Sequence, residues 1–492
     1  KLRIANALDF GDLIMKVVER FREDKGILEK YRNKFEHLLV DEYQDTNIAQ
    51  YFLVKYLASK HRNIFVVGDD DQSIYSFRGA EINNILNFED DFPDSKEYKL
   101  EKNYRSTKKI LEVASNLVKN NLFRKCKTLW TEQDEGEKVI LFSCLTEKEE
   151  ANKLIGFLRE ALKKYDRKDI LIAYRTNAQS RVIEDALLKE RIPYVIIGSV
   201  KFYQRKEIKD ILSYVKFIVN KKDSISFFRI LNTPKRSIGN ATRERIEKKA
   251  TEENISLWES CLKLAAEDSS VGKFVGLIKE LDKIKRVDEL VSAIIEKTGY
   301  MRDLKGKDSI ESESRLENIQ ELLSAVVEYT ENTGKYSPED YLIEVGLKTD
   351  IDSWNKSDSV NLMTLHNTKG LEFDVVFITG IGEGILPHYR SLKEGNTEEE
   401  RRLFYVGITR ARKKLFLSYS LTHGAGWGSG RRIVPSQFLK ELPPGAVERY
   451  ENYTTDSEER KNYTLNDIRA VSYTHLRAHE TVLDLVCRLL LE

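Results

Sequence analysis

Two short apolar runs that end on acids constrain this chain more than any other feature. Leu38-Leu39-Val40 runs directly into Asp41-Glu42, and Ile64-Phe65-Val66-Val67 runs into Gly68-Asp69-Asp70-Asp71. Runs of three or four apolar residues without polar alternation read as strands buried on both faces, the habit of parallel sheets covered by helices. In an open α/β sheet the ligand-binding residues collect just beyond the carboxyl ends of such strands. The expectation is a sheet edge carrying two acidic clusters.

The rest of the chain extends this pattern and then interrupts it. Residues 9–22 show apolar spacing at the helical period, and a helix-rich interval follows at 105–122. A strand at 138–143, a helix near 147–164, a strand at 169–174 and a short strand at Val195–Gly198 form a second α/β unit. From about 222 to 345, long amphipathic segments rich in Lys, Glu, Leu and Ile, such as 243–264 and 310–332, read as a helical insertion. Strands then return at Ser359–Thr364 and Asp374–Gly380, followed by a helix at 397–410 and a strand at Lys414–Ser420.

At 492 residues the chain exceeds the roughly 250–300 at which a single core stops growing, so several domains are expected. Lys and Arg number 81 against 80 Asp and Glu, so nucleic-acid binding would need a local basic groove rather than a global field. Cys126, Cys144, Cys261 and Cys487 are scattered without a C-x-x-C pair, which argues against a disulfide framework or a zinc site and fits a cytoplasmic protein. No apolar run reaches the roughly 18 residues of a membrane span.

Five motifs carry the chemistry. Asp41-Glu42 alone would read as a solvated acidic turn, but Gln44-Asp45-Thr46-Asn47 and Gln50 follow it. The second is Val66 to Ala80, with Gln72, Tyr75, Phe77 and Arg78. The third, Asn103-Tyr104-Arg105-Ser106, joins an aromatic able to stack on a base to an arginine able to reach a phosphate. The fourth runs from Thr364 through His366 to Lys369-Gly370-Leu371-Glu372-Phe373. The fifth, Glu398–Arg412, could be a charged exposed helix face, yet Arg410 follows the apolar Phe404-Tyr405-Val406 and should need an anionic partner.

In this order and at these separations the motifs resemble those of UvrD/Rep/PcrA-type superfamily 1 DNA helicases, nearest the PcrA-type members, over residues 1–445. The resemblance implies an α/β fold with two RecA-like parallel-sheet motor domains, the second interrupted by a mainly helical insertion domain. The implied segments are 1–103 for the carboxyl-terminal part of the first motor domain, 104–221 and 346–445 for the second, and 222–345 for the insertion. Residues 446–470 read as a polar linker.

The implied activity is ATP- and Mg²⁺-dependent 3′ to 5′ movement on single-stranded DNA with duplex unwinding, in DNA repair or replication. By resemblance Asp41 holds Mg²⁺, Glu42 activates water, and Gln72, Arg105 and Arg410 sense or stabilise the γ-phosphate. Tyr104 stacks on the base, and Gly370 and Glu372 line the nucleotide. Phe10, Tyr75, Phe77, Arg78, Arg175, Asn177, Thr364 and His366 contact DNA. Phe77 stands where the family usually has Trp, and Asn367 where it often has a small residue. The implied partners are single-stranded DNA, single/double-strand junctions and repair or replication proteins. The helicase part of a recombination helicase–nuclease, or a non-catalytic DNA- or partner-binding protein, are the alternatives.

Two features set expectations about completeness. No G-x-x-x-x-G-K-[ST] phosphate loop occurs in the sequence, and the first residue is Lys1. Back-translated, residues 471–492 resemble a transposase mosaic end followed by a sequencing adapter. The expectation is an amino-terminally truncated fragment with an adapter-derived tail, inactive alone.

Overall fold

The computed structural model describes residues 8–307, 309–349, 358–423 and 431–450. The expected linker beyond 450 and the adapter-like tail at 471–492 lie outside the described residues.

The first lobe is built on two parallel strands, β1 (Leu38–Val40) and β2 (Ile64–Val66), paired in register from Leu38 opposite Ile64 to Val40 opposite Val66. The helix Phe10–Glu23 starts on a reciprocal cap in which Asp9 and Asp12 each accept the other's backbone N–H. Asn47 and Gln50 cap Ile48–Ala58 in the same way. Beyond β1 and β2 the chain turns through short 3₁₀ segments, so Asp41, Glu42 and Asp69 to Gln72 all stand at the carboxyl ends of the strands. Gly68 is required there, because a Cβ would come within 2.4 Å of the Gln44 side chain. Leu39 and Phe65 on the strands, and Phe10 at the start of the first helix, are exposed.

The second lobe is a large sheet. In chain order its strands are β3 (Val139–Thr146), β4 (Ile170–Tyr174), β5 (Tyr194–Ile196), β6 (Val360–Thr364), β7 (Phe373–Ile378), β8 (Ala411–His423), β9 (Arg431–Arg432) and β10 (Val447–Tyr450). Across the sheet the order is β10-β3-β8-β7-β4-β6-β5, all parallel, with β9 antiparallel on β8. Alternate residues feed opposite faces. Leu171, Ala173, Val376, Ile378 and Leu417 pack with the helices Lys108–Val118 and Thr397–Ile408, while Ile170, Ile172, Val375, Phe377 and Phe416 pack with Glu147–Leu162 and Ser180–Lys189. Both faces are covered, as the unbroken apolar strand sequences require.

Between β5 and β6 the chain leaves the sheet for a helical body. Its core joins Ile246, Phe274, Ile294 and Leu322 to Phe202, Ile211 and Phe217, so the helix Lys206–Val219 belongs to it, ahead of the boundary expected at 222. The helix places Ile208, Ile211, Leu212 and Val215 on one buried stripe, a period that either an α/β unit or a bundle could use, and buries Tyr214 and Phe217 on its other sides.

The expected linker at 446–470 is corrected at its start. Residues 447–450 form β10, paired with β3 from Val447 opposite Val139. Glu448, Arg449 and Tyr450 are exposed and Val447 is buried, so an edge strand with one inward residue carries almost no apolar signal.

One buried acid, on the helix Glu147–Leu162 that packs on this sheet, has its pKa raised towards neutrality. Glu150 accepts hydrogen bonds from the Ser418 hydroxyl (2.5 Å) and the Gly380 N–H (2.9 Å), and burial pushes its carboxyl up to about 7. A carboxyl raised on folding stabilises the fold fully below its unfolded pKa and loses that contribution as pH rises through its folded value. Between about pH 5.5 and 8.5 the chain should therefore lose on the order of 2 kcal/mol relative to Glu150→Gln. Urea denaturation at both pH values reads this; parallel losses in the two proteins would remove Glu150 as the cause.

Candidate nucleotide cleft and DNA track

The carboxyl ends of β1 and β2 face the second lobe across a cleft. Glu42 adopts the left-handed conformation (φ 49°), an uncommon state for a non-glycine residue. Its N–H donates to Asp41 Oδ1 (2.8 Å), and its own Oε2 accepts from Gln44 Nε2 (2.6 Å). Gln44 is fully buried, and its Oε1 accepts the Asp69 N–H at 2.9 Å. It thus ties Glu42 to the second acidic turn.

Two cations of the second lobe, Lys369 and Arg410, meet this edge. Lys369 inserts its ammonium among Asp45 Oδ2, Glu42 Oε2 (3.2 Å) and the Gln72 carbonyl (3.2 Å), with its side chain 8% exposed. Burial pushes the Asp45 carboxyl up, and Lys369 offsets part of that. Arg410 is 2% exposed and donates to the Val406 and Leu371 carbonyls, Thr409 Oγ1 and Gln72 Oε1 (3.3 Å). All four acceptors are neutral, and no carboxylate among the described residues pairs with it. Burial and the neighbouring Arg105 guanidinium bring its pKa down to about 10. No protein group among the described residues supplies the anionic partner that its burial calls for.

Arg105 donates to Glu372 Oε2 (2.6 Å) and to the Thr409 carbonyl (3.2 Å). Arg412 shares Glu372, and these two arginines hold its carboxyl below the usual range. Two residues expected to serve different parts of a nucleotide are therefore paired with each other. Tyr104 is 75% exposed beside them, with the Lys102 ammonium 5.2 Å from its ring.

The aromatic cluster forms at the other end of the second-lobe sheet. Tyr75 and Phe77 lie 6.0 Å apart, Phe77 meets His366 edge-on at 5.4 Å, and Arg78 covers both first-lobe rings. The Tyr75 hydroxyl donates to the His366 carbonyl (3.3 Å). Burial and Arg175 press the His366 pKa down to about 3, so its imidazole is neutral at physiological pH. Thr364 ends β6 opposite Tyr174, placing Thr364 and His366 beside the 175–179 turn that carries half-buried Asn177. Phe10 joins none of these ring contacts and is 91% exposed.

Arg175 faces inward. Its Nε (3.0 Å) and Nη2 (2.7 Å) grip the buried carboxylate of Glu400.

One segment connects the two ends. β6 and β7 both run parallel to β4, so residues 365–372 travel from the carboxyl end of β6 to the amino end of β7. His366 stands at the start of that path, Lys369 midway and Glu372 at its end. Gly370, at φ 81°, makes the turn between Lys369 and Glu372.

Sequence reasoning passed over Gln44, Lys369, Glu400 and Lys127. The first lies inside a recognised motif, and its buried position was the missing signal. Lys369 and Glu400 also lie inside motifs, and they and Lys127 take ionic partners more than fifty residues away.

Asp69, Asp70 and Asp71 are the one group of acids among the described residues with metal-ligand spacing. Lys127 fills it, contacting Asp69, Asp70 (3.3 Å) and Asp71 (3.1 Å), and Arg124 grips Asp71 with two nitrogens. Although burial opposes the charge, the three acids hold Lys127 well above the usual lysine range. The trio is a neutralised strut. Asp41, by contrast, spends one oxygen on the Glu42 N–H and its second has no protein partner among the described residues, a donor that suits a Mg²⁺ bound mainly by water and phosphate.

Comparison with known proteins gives a consistent picture. Residues 98–422 match the UvrD-like helicase C-terminal domain, and residues 1–93 match the UvrD/REP helicase N-terminal domain. The chain is 44% identical over 465 residues to the ATP-dependent DNA helicase PcrA of Staphylococcus aureus strain MRSA252, covering 90% of this chain and 63% of the relative. It is 44% identical over 462 residues, with the same shares covered, to the protein of that name from Staphylococcus epidermidis strain ATCC 35984. No helix among the described residues is long and apolar enough to cross a membrane.

The Lys127 strut gives a direct test. Lys127→Met leaves three neighbouring carboxylates without their central cation and should destabilise the chain by about 3–5 kcal/mol in urea denaturation. A loss below about 1 kcal/mol would mean that the acids are already solvated.

Proposed function

The chain belongs to the UvrD-like helicase family, and from that premise we propose that it forms part of an ATP-driven DNA motor. The motor moves 3′ to 5′ on single-stranded DNA and opens duplexes at single/double-strand junctions, in cytoplasmic DNA repair or replication. The observation that carries this reading is Arg410: a buried guanidinium with neutral acceptors only, beside a second guanidinium, at a cleft lined by Glu42 and Gln72. Such a site lacks one anion, and a terminal phosphate supplies it through charge-assisted bonds stronger than those to carbonyls.

The proposed roles follow from position. Glu42 orients the attacking water, with Gln44 fixing its carboxylate. Gln72, already bonded to Arg410, reports the terminal phosphate to Tyr75 three residues on. Arg105 exchanges Glu372 for phosphate, which leaves Glu372 to meet the ribose beside Gly370, while Tyr104 stacks on the base. Asp41 would hold Mg²⁺, which neutralises phosphate charge when bound. Tyr75, Phe77, Arg78, Asn177, Thr364 and His366 line the DNA track. The 365–372 segment touches both ends, so a change at the nucleotide alters the grip on DNA, the reciprocal coupling that a translocating motor needs.

The chain spans 63% of the length of the relatives it matches, and its sequence holds no phosphate loop. ATP turnover by this chain alone is therefore expected to stay at background. Joined to an upstream segment carrying G-x-x-x-x-G-K-[ST], it should become a DNA-stimulated ATPase. In that protein Arg410→Ala should lower kcat by about 10³-fold, the lower range for an arginine finger. Phe77→Ala should weaken oligothymidine binding by about 1–3 kcal/mol. Phosphate release and fluorescence anisotropy read the two effects; turnover by the unextended chain, or turnover insensitive to Arg410→Ala, would refute the assignment.

A further inference from the structure

Glu400 is an acid that the proposed chemistry leaves unused. It sits in the first turn of the helix Thr397–Ile408, 3% exposed, and gathers four donors. Arg175 supplies Nε and Nη2, the His388 N–H donates at 2.9 Å and the Ser391 hydroxyl at 3.1 Å. Burial alone would raise its carboxyl, but Arg175 and the His388 N–H more than offset that and hold it below the usual range. The 175–179 turn is fixed a second time, since the Arg175 and Thr176 N–H groups both donate to Gln179 Oε1 at 2.9 Å.

We propose that Glu400 is a positioning residue for the DNA track: it holds Arg175 in a buried ion pair, off the DNA phosphates, and so fixes the turn carrying Asn177 to the helix that leads to Arg410. This rests on the DNA-binding reading above. Two physical arguments support it. For Arg175 to reach a phosphate it must abandon Glu400, leaving a carboxylate buried without its counter-ion, and a solvent-exposed phosphate contact cannot compensate for that. The connecting helix is also rigid, because every residue from Glu400 to Ile408 is buried. Glu400 and Arg410 are ten residues apart, about 15 Å along the axis, so a displacement of Arg410 on meeting phosphate reaches Glu400 as a rigid shift. Arg175, its turn and the strap through His388 and Ser391 then move with it.

A purely structural ion pair and a phosphate-contacting arginine both predict different salt behaviour. Each phosphate neutralised on single-stranded DNA contributes about 0.7 to the slope of log affinity against log salt. Anisotropy of a labelled oligothymidine, titrated with the full chain from about 50 to about 400 mM NaCl, reads that slope. Arg175→Gln should weaken binding several-fold at every salt concentration with the slope unchanged. Glu400→Gln should steepen the slope by about 0.7, because the released guanidinium then reaches a phosphate. A slope reduced by about 0.7 in Arg175→Gln would show a direct phosphate contact and overturn the proposal. Unchanged slope and affinity in both variants would reduce the pair to a structural one and overturn it equally.

Hydrogen exchange without DNA keeps the positioning claim testable on its own. Glu400→Gln should speed exchange in 175–179 and 386–391 by about tenfold or more while β7 and β8 stay protected. Equal exchange in 175–179 refutes the clasp, and loss of protection throughout β7 identifies misfolding, in which case Glu400→Asp, which keeps the charge, must restore both protection and slope or the proposal falls. If the unsubstituted chain binds no oligothymidine, the DNA-binding reading fails, and the exchange result still decides whether Glu400 holds the turn.

Discussion

The ammonium of Lys369 in its pocket of first-lobe oxygens is the contact on which the cleft depends. It crosses between lobes, its neighbours in sequence touch both ends of the second-lobe sheet, and its partners include the proposed water-activating Glu42. A buried ion pair gains little over well-packed apolar groups, but breaking one leaves an uncompensated charge. That asymmetry makes Lys369 a poor stabiliser and a good gauge of position. Its ammonium sits between Asp45 and Glu42 and also bonds the Gln72 carbonyl, while the Gln72 side chain meets Arg410 at 3.3 Å.

The helix Thr397–Ile408 distributes that geometry. Its three leading acids each hold a different element. Glu398 accepts the Leu122 N–H (2.7 Å), Glu399 accepts the Ser76 N–H (3.0 Å) between Tyr75 and Phe77, and Glu400 takes Arg175. Acids in a first helical turn are favoured by the exposed N–H groups there, so local helix chemistry and long-range anchoring ask for the same residues. Arg401 extends the pattern, paired through two nitrogens with Glu441 and bonded to Asn121. A run that reads in sequence as a charged solvent face is buried from Glu400 onward, with Glu400 and Arg401 paired to the distant Arg175 and Glu441 and Arg402 to Glu398 one turn back.

How much was legible follows from where the information resides. The strands at 170–174 and 373–378 were readable because burial on both faces writes itself as unbroken apolar runs; those at 38–40 and 64–66 were readable from the same kind of run, although Leu39 and Phe65 are exposed. The acids and arginines of the cleft were readable as motifs, and Arg410 was expected to be buried and to need an anionic partner because of its apolar neighbours; it is buried. The lobe-two chemistry departs from the rule for open sheets: Glu372 and Arg410 stand at the amino ends of β7 and β8, facing the carboxyl ends of the first-lobe strands. Strand β10 was invisible, as an edge strand with one buried residue must be. The partnerships of Arg105 with Glu372, and of Lys369 with Asp45, join residues 267 and 324 positions apart, and no local pattern encodes them.

The central claim is that the lobes are coupled through Lys369, and a double-mutant cycle tests it directly. Stability would be measured by urea denaturation for the unsubstituted chain, Lys369→Met, Asp45→Asn and the double variant. Residues in direct ionic contact should show an interaction energy of at least about 1.5 kcal/mol, with the double variant less destabilised than the sum of the singles. Additivity within about 0.5 kcal/mol would mean that the two side chains do not meet in solution and that the cleft is held by something else.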